Sequence, residues 1–236
     1  MEIKLNKNIA RKVLEVVDHG LVNGVGEPIP GKMCIEAAVC FALGLPHGDN
    51  PPCVGGAVRS FKISLNDQKW PTDKDRTKGM RKLAIAQLGS NEIDQDKFTE
   101  VLGFNCITRV LPVIVENALK EDKDNDFCKR QNKELEPLIA KLRKEKDFKT
   151  AKELSKEVWN IYAYASTSTS AYVYAYASAS ASAYASAYAY ASASASAYAE
   201  KNRKFHLKVL NLIAECGLDA LKEMKSPGVK WLSLCD

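Results

Sequence analysis

Apolar positions in the first half of the chain recur at helical spacing, and loops rich in glycine and proline separate them. Ile9, Val13, Val16 and Val17 mark a first helix over residues 7–22. This spacing places the apolar side chains on one face and leaves lysines and acids on the other. We therefore predict an amphipathic helix that packs on a core.

The segment KMCIEAAVCFAL, at residues 32–43, differs because it is apolar on both faces. A helix that is apolar all round is usually buried, so we predict a central helix here. We expect its only acid, Glu36, to be a lone helix carboxylate with a local partner. The loops NGVGEPIPG and PHGDNPP flank this helix.

The following helices begin and end at recognisable signals. Residues 53–66 suit a helix only in part, because two adjacent glycines weaken it. Thr72, with Asp75 three residues later, resembles a capping box that opens a helix ending at Gly89.

Farther along, Asp94 is placed to cap a helix that runs towards Leu119, and Pro112 should kink or divide it. Residues 120–157 are rich in charge, and their narrow apolar stripe consists of Leu135, Leu138, Ile139 and Leu142. The last predicted helix covers about residues 200–224, before a short tail.

Strand signals are nearly absent from these segments. We therefore predict an all-α fold, a bundle of roughly eight helices in a single domain over residues 1–236. A sub-boundary, if the chain has one, is expected in the charged stretch 120–134.

Alanine alternates with tyrosine or serine along one tract, from Tyr162 to Ala199. As a strand, such a tract would span roughly 125 Å and would need turns, but it contains no Gly, Asn, Asp or Pro. As a helix it would be roughly 57 Å long and needs no turn residues. We predict a long, closely packing Ala/Ser/Tyr helix, and the alternative is a repetitive exposed surface that associates with something periodic.

The formal net charge of +5 is mild for 236 residues, so a nucleic-acid partner is not expected. The uncharged tract holds too few strongly apolar side chains to span a membrane. The N-terminus has no secretory apolar region, and the number of cysteines is odd. These features indicate a reduced, cytoplasmic protein whose thiols are mostly buried.

The loop before the central helix has the spacing GxxxxGK of a phosphate-binding loop, from Gly26 to Lys32. Met33 stands where that motif needs Ser or Thr, and Pro28 and Pro30 remove two amide donors. The sequence therefore excludes a nucleoside triphosphatase.

A simpler anion site remains, since Lys32 lies at the start of a helix, where amides and the helix dipole favour negative charge. Other cations are expected to converge with it and to hold a small anionic ligand: Arg59, Lys62, Arg76 and Arg81. The alternative is a buried helix between two loops with no ligand.

Two chemical alternatives involve the same segment. Cys34, near a helix start, could act as a nucleophile with His47 as its base and Asp49 to orient that base. Alternatively, Cys34, Cys40, His47 and Cys53 offer the ligand types of a zinc site, but their spacing does not match the close pairs of such sites. We predict no metal and no cofactor.

GKMCIEAAVCFALGLPHGD, together with LND..W at 65–70 and RKLAIAQLGS at 81–90, resembles an uncharacterised bacterial and phage protein family over about residues 24–100. The downstream tract is similar in composition to Ala/Tyr-rich immunity proteins, which have helical folds. The resemblance implies a context of bacterial conflict, either immunity or a phage response to it, and it carries no functional residues.

The leading hypothesis is a non-enzymatic binder of a small anionic, nucleotide-like ligand, such as a phage protein that sequesters a nucleotide immune signal. The first alternative is an inhibitor or immunity protein that binds a protein partner through a helical surface. The second is a thiol enzyme that uses Cys34 and His47. A homo-oligomer formed through the tract is compatible with each hypothesis.

Overall fold

The computed structural model describes residues 4–121, 126–163 and 203–236, and it confirms the predicted all-α class. In this part of the chain no sheet forms, and two isolated bridges connect Met33 to Leu21 and Gly26. Nine α-helices are described, against roughly eight predicted: α1 (Lys7–Asp18), α2 (Ile35–Ala42), α3 (Gly56–Asn66), α4 (Asp73–Ala86), α5 (Gln95–Asn105), α6 (Leu111–Glu121), α7 (Asp126–Lys144), α8 (Phe148–Ala163) and α9 (Arg203–Glu223).

Three shorter segments complete the secondary structure of the described residues. A π-helical segment (Cys106–Val110) joins α5 to α6, and 3-10 helices cover Ser90–Glu92 and Pro227–Cys235. The Ala/Ser/Tyr tract begins at Tyr162, and its first two residues are the last two of α8. The rest of the tract, and with it the prediction of one long helix, lies outside the described residues.

The predicted capping signals act as expected. Thr72 Oγ1 accepts a hydrogen bond from the Asp75 amide at 3.0 Å, so Thr72 caps α4 as predicted. The Asp75 carboxylate bonds to the Thr72 hydroxyl at 2.7 Å, in place of the backbone amide that a capping box uses. Asp94 Oδ1 accepts from the amides of Asp96 and Lys97, each at 3.0 Å, at the start of α5. The chain therefore enters both helices where the sequence predicted.

One compact unit comprises Met1–Phe98 and His206–Asp236. In it α2 packs against α1, α3 and α4, and the C-terminal 3-10 helix packs against α1 and α4. Residues 33–40, which include most of α2, are all buried. The prediction that this helix is central is therefore confirmed for this unit.

Arg81 of α4 bonds to two other segments of this unit, near the C-terminus of the chain. Its guanidinium makes two bonds to the carboxylate of Asp18, Nε to Oδ1 at 2.6 Å and Nη2 to Oδ2 at 2.9 Å. Its Nη1 also donates to the carbonyl of Cys235 at 2.6 Å. The hydrogen bonds with Asp18 raise the pKa of Arg81 above its ordinary value. One side chain thus ties α1, α4 and the C-terminal 3-10 helix together.

The second compact unit comprises Thr99–Phe205. Its described helices α6, α7 and α8 pack in sequence order, and the π-helical segment contacts all three. The predicted apolar stripe of α7 is buried: Leu135, Leu138, Ile139 and Leu142. Arg143 Nη2 donates to Glu116 Oε2 at 2.8 Å and so adds a polar contact between α7 and α6.

Pro112 divides its helix, as predicted, and the π-helical segment shows how. Proline lacks an amide hydrogen, and its ring clashes with the carbonyl four residues earlier, here that of Thr108. The five-residue π-helical segment Cys106–Val110 precedes it, and Thr108 Oγ1 donates to the Phe104 carbonyl at 2.8 Å. The wider π-helical turn lets the helix continue into α6 despite the proline.

The prediction of a single domain stays a prediction, because the presence of two compact units does not decide whether they fold separately. Among the described residues, the helical stretch Gln95–Asn117 is long and apolar enough to cross a membrane by length and composition. However, 67% of its most apolar window is buried inside the protein, as in the core helix of a soluble protein.

Gly217 of α9 allows a close contact that a larger residue would not. A Cβ atom there would lie 2.2 Å from Cε1 of Phe61, whose ring is fully buried and tilted against Phe98. We expect Gly217→Ala to lower the free energy of unfolding by about 1–3 kcal/mol through overpacking. Denaturant unfolding followed by circular dichroism measures this change.

Gly56→Ala is the matched control, because a Cβ at Gly56 meets no atom within 4 Å. This substitution should leave stability unchanged or raise it by about 0.4–1 kcal/mol, since alanine restricts the unfolded chain. Equal effects of the two substitutions would contradict the packing described for α9.

Candidate functional site

The Gly/Pro loop before α2 folds back on itself through glycine conformations. Gly26 has φ +73°, and a Cβ there would lie 2.0 Å from the Lys32 carbonyl oxygen. The Glu27 amide donates to that carbonyl at 2.8 Å, and the Cys34 amide donates to the Val25 carbonyl at 3.3 Å. The loop therefore lies directly against the start of α2.

Lys32 does not point into this helix start. Its side chain is 59% exposed, and its Nζ lies 3.3 Å from Oε2 of Glu27, itself 62% exposed. An exposed pair of this kind contributes little to stability, so it leaves the lysine free to exchange partners.

The first-turn amides of α2, which were expected to bind an anion, already have acceptors. The Ala37 amide donates to Cys34 Sγ at 3.4 Å, and the Ile35 amide donates to Asn66 Oδ1 at 3.4 Å. Cys34, Ile35 and Glu36 are all buried. An external anion at this helix start would have to displace these contacts, and the carboxylate of Glu36 already supplies negative charge to the first turn.

Glu36 and Lys62 form an ion pair in the interior. Oε1 of Glu36 lies 2.5 Å from Nζ of Lys62, and both side chains are 0% exposed. Within the described residues, Glu36 Oε2 has no hydrogen-bond partner. The expectation of a local partner for Glu36 is therefore wrong, because the partner lies 26 positions away, on α3.

Burial shifts both groups of this pair towards their neutral forms. It raises the pKa of Glu36 and lowers the pKa of Lys62, and in each case the partner's charge opposes the shift without cancelling it. Alone, the Glu36 shift would favour folding at low pH and the Lys62 shift at high pH. Whether charged or neutral, the pair holds one proton, so these effects oppose each other near neutrality.

The structure does not gather the five predicted cations around one ligand position. Lys62 is paired with Glu36 in the interior, and Arg81 is engaged by Asp18. Arg76 is 5% exposed; its Nε donates to the Asn66 carbonyl at 2.9 Å, and it also pairs with Asp73.

Arg59, half-buried on α3, donates to Oδ1 of Asn50. Lys32 and Arg59 are thus the two predicted cations that keep the most access to solvent without a strong ion pair. The anionic-ligand site stays a prediction, and on this geometry it would depend on these two residues.

The predicted nucleophile and its base occupy different environments. Cys34 is 4% exposed, and burial raises the pKa of its thiol although the amides of Ala37 and Glu36 oppose the shift. His47 is exposed, and its Nε2 lies 3.0 Å from the Gly26 carbonyl oxygen. The described contacts of Cys34 and His47 therefore do not join them as a nucleophile and its base.

The other thiols of this region are also buried and protonated at neutral pH. Burial raises the pKa of Cys53, and it raises the pKa of Cys40 to about 11. Within the described residues, no group of three or more His, Cys, Asp or Glu side chains could hold a metal ion. The zinc alternative thus has no support from this region.

Exposed apolar side chains occur in α2 and in the loop before it. Of the large apolar residues whose side chains are described, a set that leaves out 118–132, 159 and 162–163, three are exposed: Val25 (38%), Ile29 (47%) and Phe41 (42%). Phe41 lies seven positions after Cys34, hence on the same side of α2 and about 10 Å along it. The loop that carries Val25 and Ile29 bonds to the Cys34 end of that side through the Val25 carbonyl, and Cys34 is 4% exposed whereas Phe41 is 42% exposed.

The chain after Phe41 runs back towards the same loop, because His47 bonds to the Gly26 carbonyl. We call the surface formed by Val25, Ile29, Phe41 and His47 the α2 loop surface. Sequence analysis missed it, since single exposed apolar residues are common and only the fold shows which loops lie together. One signal was present: Val25 and Ile29 are apolar residues in a Gly/Pro loop.

Removing either partner of the buried pair should strongly destabilise the protein. Glu36→Met leaves the ammonium of Lys62 buried without a counter-charge, and Lys62→Met does the same to Glu36. We expect either substitution to lower the free energy of unfolding by about 3–5 kcal/mol, measured by denaturant unfolding.

Glu27→Met is the matched control for that prediction, because it breaks the exposed pair with Lys32. It should change stability by no more than about 0.5 kcal/mol. If Glu36→Met and Glu27→Met have similar effects, the buried pair is not as desolvated as described.

Thiol alkylation tests the predicted nucleophile. Near neutral pH a raised pKa leaves little thiolate, so Cys34 should react slowly with iodoacetamide and Cys40 should stay slow until the pH approaches about 11. Among the six cysteines whose side chains the structure describes, half-buried Cys235 should react first. Mass spectrometry of each peptide gives the rates, and unfolded protein is the control. Fastest labelling at Cys34 would instead support the thiol-enzyme hypothesis.

Comparisons with known proteins add no relative to this description. No family model matches the chain, and neither the curated proteins nor the solved structures contain a significant match. The resemblance to a bacterial and phage family therefore stays a prediction, and the functional argument depends on the residues of this chain.

Proposed function

We propose that this protein is a non-catalytic binding protein that holds a partner protein on the α2 loop surface, as an inhibitor or immunity protein would. The observation that carries the proposal is the position of the exposed apolar side chains. All three that are exposed among the described side chains fall between residues 25 and 41, two in the loop before α2 and one within α2. Clustered exposed apolar side chains are typical of protein interaction sites, whereas scattered ones are not.

The α2 loop surface is also held in place before any partner binds. The loop is fixed by backbone hydrogen bonds to Lys32 and Cys34, and His47 ties the return segment to it. The helix beneath is buried on its inner sides. A surface that is already ordered loses little conformational entropy when a partner binds.

The contacts of the predicted catalytic residues give less support to an enzyme. Cys34 is buried and its thiol has a raised pKa, and Glu36, which acts on that thiol, is paired with Lys62. A cytoplasmic location fits the proposal, because six described cysteines are free thiols and five of them are buried. The hypothesis of a small anionic ligand has less support, because it depends on two of the predicted cations, Lys32 and Arg59.

The test compares partner capture by the wild-type protein and by the variant Val25→Ser/Ile29→Ser/Phe41→Ser. A protein that the wild type retains from bacterial lysate is identified and purified, and its Kd for both forms is measured. We expect the variant to bind about a hundredfold more weakly, because hot-spot apolar anchors contribute 1 kcal/mol or more each. Circular dichroism should show that the variant is folded.

The matched control replaces three exposed residues of α7 by serine: Glu134, Glu136 and Lys141. This control should bind the partner like the wild type. The proposal is contradicted if the Val25/Ile29/Phe41 variant binds the partner as tightly as the α7 control. It is also contradicted if the wild type retains no protein. Stabilisation by phosphate or mononucleotides that is lost in Lys32→Ala and Arg59→Ala would support the anionic-ligand hypothesis instead.

A further inference from the structure

The second helix has an unusual composition for an element that must adopt one orientation. Every residue from Ile35 to Cys40 is at most 3% exposed, and all but Glu36 are small or apolar. The helix packs against α1, α3 and α4, so apolar neighbours surround it on several sides. A rotation by one residue, about 100°, would replace one apolar contact surface by another of similar kind.

Apolar packing alone therefore gives different rotations of α2 about its axis similar free energies. The buried charge distinguishes strongly, because Glu36 reaches Nζ of Lys62 only from the present orientation, at 2.5 Å. Any other rotation leaves a carboxylate and an ammonium unpaired in the interior, at a large cost.

We propose that the Glu36–Lys62 pair sets the rotation of α2 about its axis and thereby holds Phe41 on the outside, on the α2 loop surface. Both residues are positioning residues, and neither touches a partner. This inference rests on the proposed function only for the claim that Phe41 contacts a partner. The rotation itself is a property of the free protein.

The energetics of the pair agree with a role in specificity. A buried ion pair often stabilises a fold less than apolar residues of similar volume would. Glu36 Oε2, which within the described residues has no hydrogen-bond partner, makes this pair less well compensated still. A second polar contact, from the Ile35 amide to Asn66 Oδ1 at 3.4 Å, fixes where the helix begins. It is longer and involves the backbone at one end only.

Cys40 reports on the rotation because it precedes Phe41 and lies about 100° away around the helix. It is 3% exposed in the present orientation, whereas Phe41 is 42% exposed. When α2 turns by about 100° in the sense that brings Cys40 to the present position of Phe41, Phe41 moves inward and Cys40 moves towards solvent. Cys216 of α9 is 0% exposed and lies in the same unit, so it reports general opening of that unit.

The experiment replaces both partners at once, as Glu36→Met/Lys62→Met, and measures alkylation rates by mass spectrometry under native conditions. We expect the double variant to unfold at a denaturant concentration no lower than the wild type. We also expect Cys40 to label about tenfold faster relative to Cys216, since the rotational restraint is lost. Because the charge of Glu36 also raises the pKa of Cys40, the pH dependence of each labelling rate is measured and the rates are compared per thiolate. A role in stability alone would not change the ratio of the two rates on that basis.

The control is Ile35→Met/Leu65→Met, which places two methionines in the same two helices and keeps the ion pair. Its ratio of Cys40 to Cys216 labelling should match the wild type. Three results would overturn the inference. The ratio of the two labelling rates could be unchanged in the double variant, both thiols could label faster by the same factor, or the control could show the same increase in the ratio. No partner is needed, so this result is independent of the test of the proposed function.

Discussion

The ion pair between Glu36 and Lys62 is the constraint around which the first unit is arranged. Both side chains are wholly buried, and they join α2 to α3 across a distance of 2.5 Å. Apolar side chains can exchange neighbours at modest cost, whereas a buried charge can satisfy its partner in one geometry only. The pair therefore makes one arrangement of an otherwise apolar helix much better than its competitors. The same burial raises the pKa of Glu36 and lowers the pKa of Lys62.

The sequence predicted the elements well, because their signals are local. The hydroxyl of Thr72, the carboxylate of Asp94 and the missing amide of Pro112 each act within four residues of their own position. Such effects depend little on the rest of the fold. The prediction for residues 53–66 stayed ambiguous because adjacent glycines weaken a helix, and here tertiary packing decides in favour of α3.

The site could be predicted only in outline, since its contacts connect distant positions. Helix-dipole reasoning predicted a bound anion at the start of α2, and the structure places a carboxylate of the chain itself, Glu36, in that first turn. Lys62 could not be assigned to it from periodicity, because the two are 26 positions apart. Nor does the sequence indicate that one loop bonds to the Cys34 end of α2 while Phe41 stays exposed, since that depends on how the loop turns at Gly26.

The π-helical segment before Pro112 also determines how this part of the chain tolerates changes in length. A π-helical turn holds about one residue more than an α-helical turn, so Cys106–Val110 is equivalent to an α-helix with one inserted residue. Removing a residue there would keep the faces of α5 and α6 in register, but the restored α-helical turn would bring the Pro112 ring against the carbonyl four residues earlier. A deletion inside α6 would turn every later side chain of that helix by about 100°. The extra residue of the π-helical segment therefore lets two helical faces stay in register on either side of a proline.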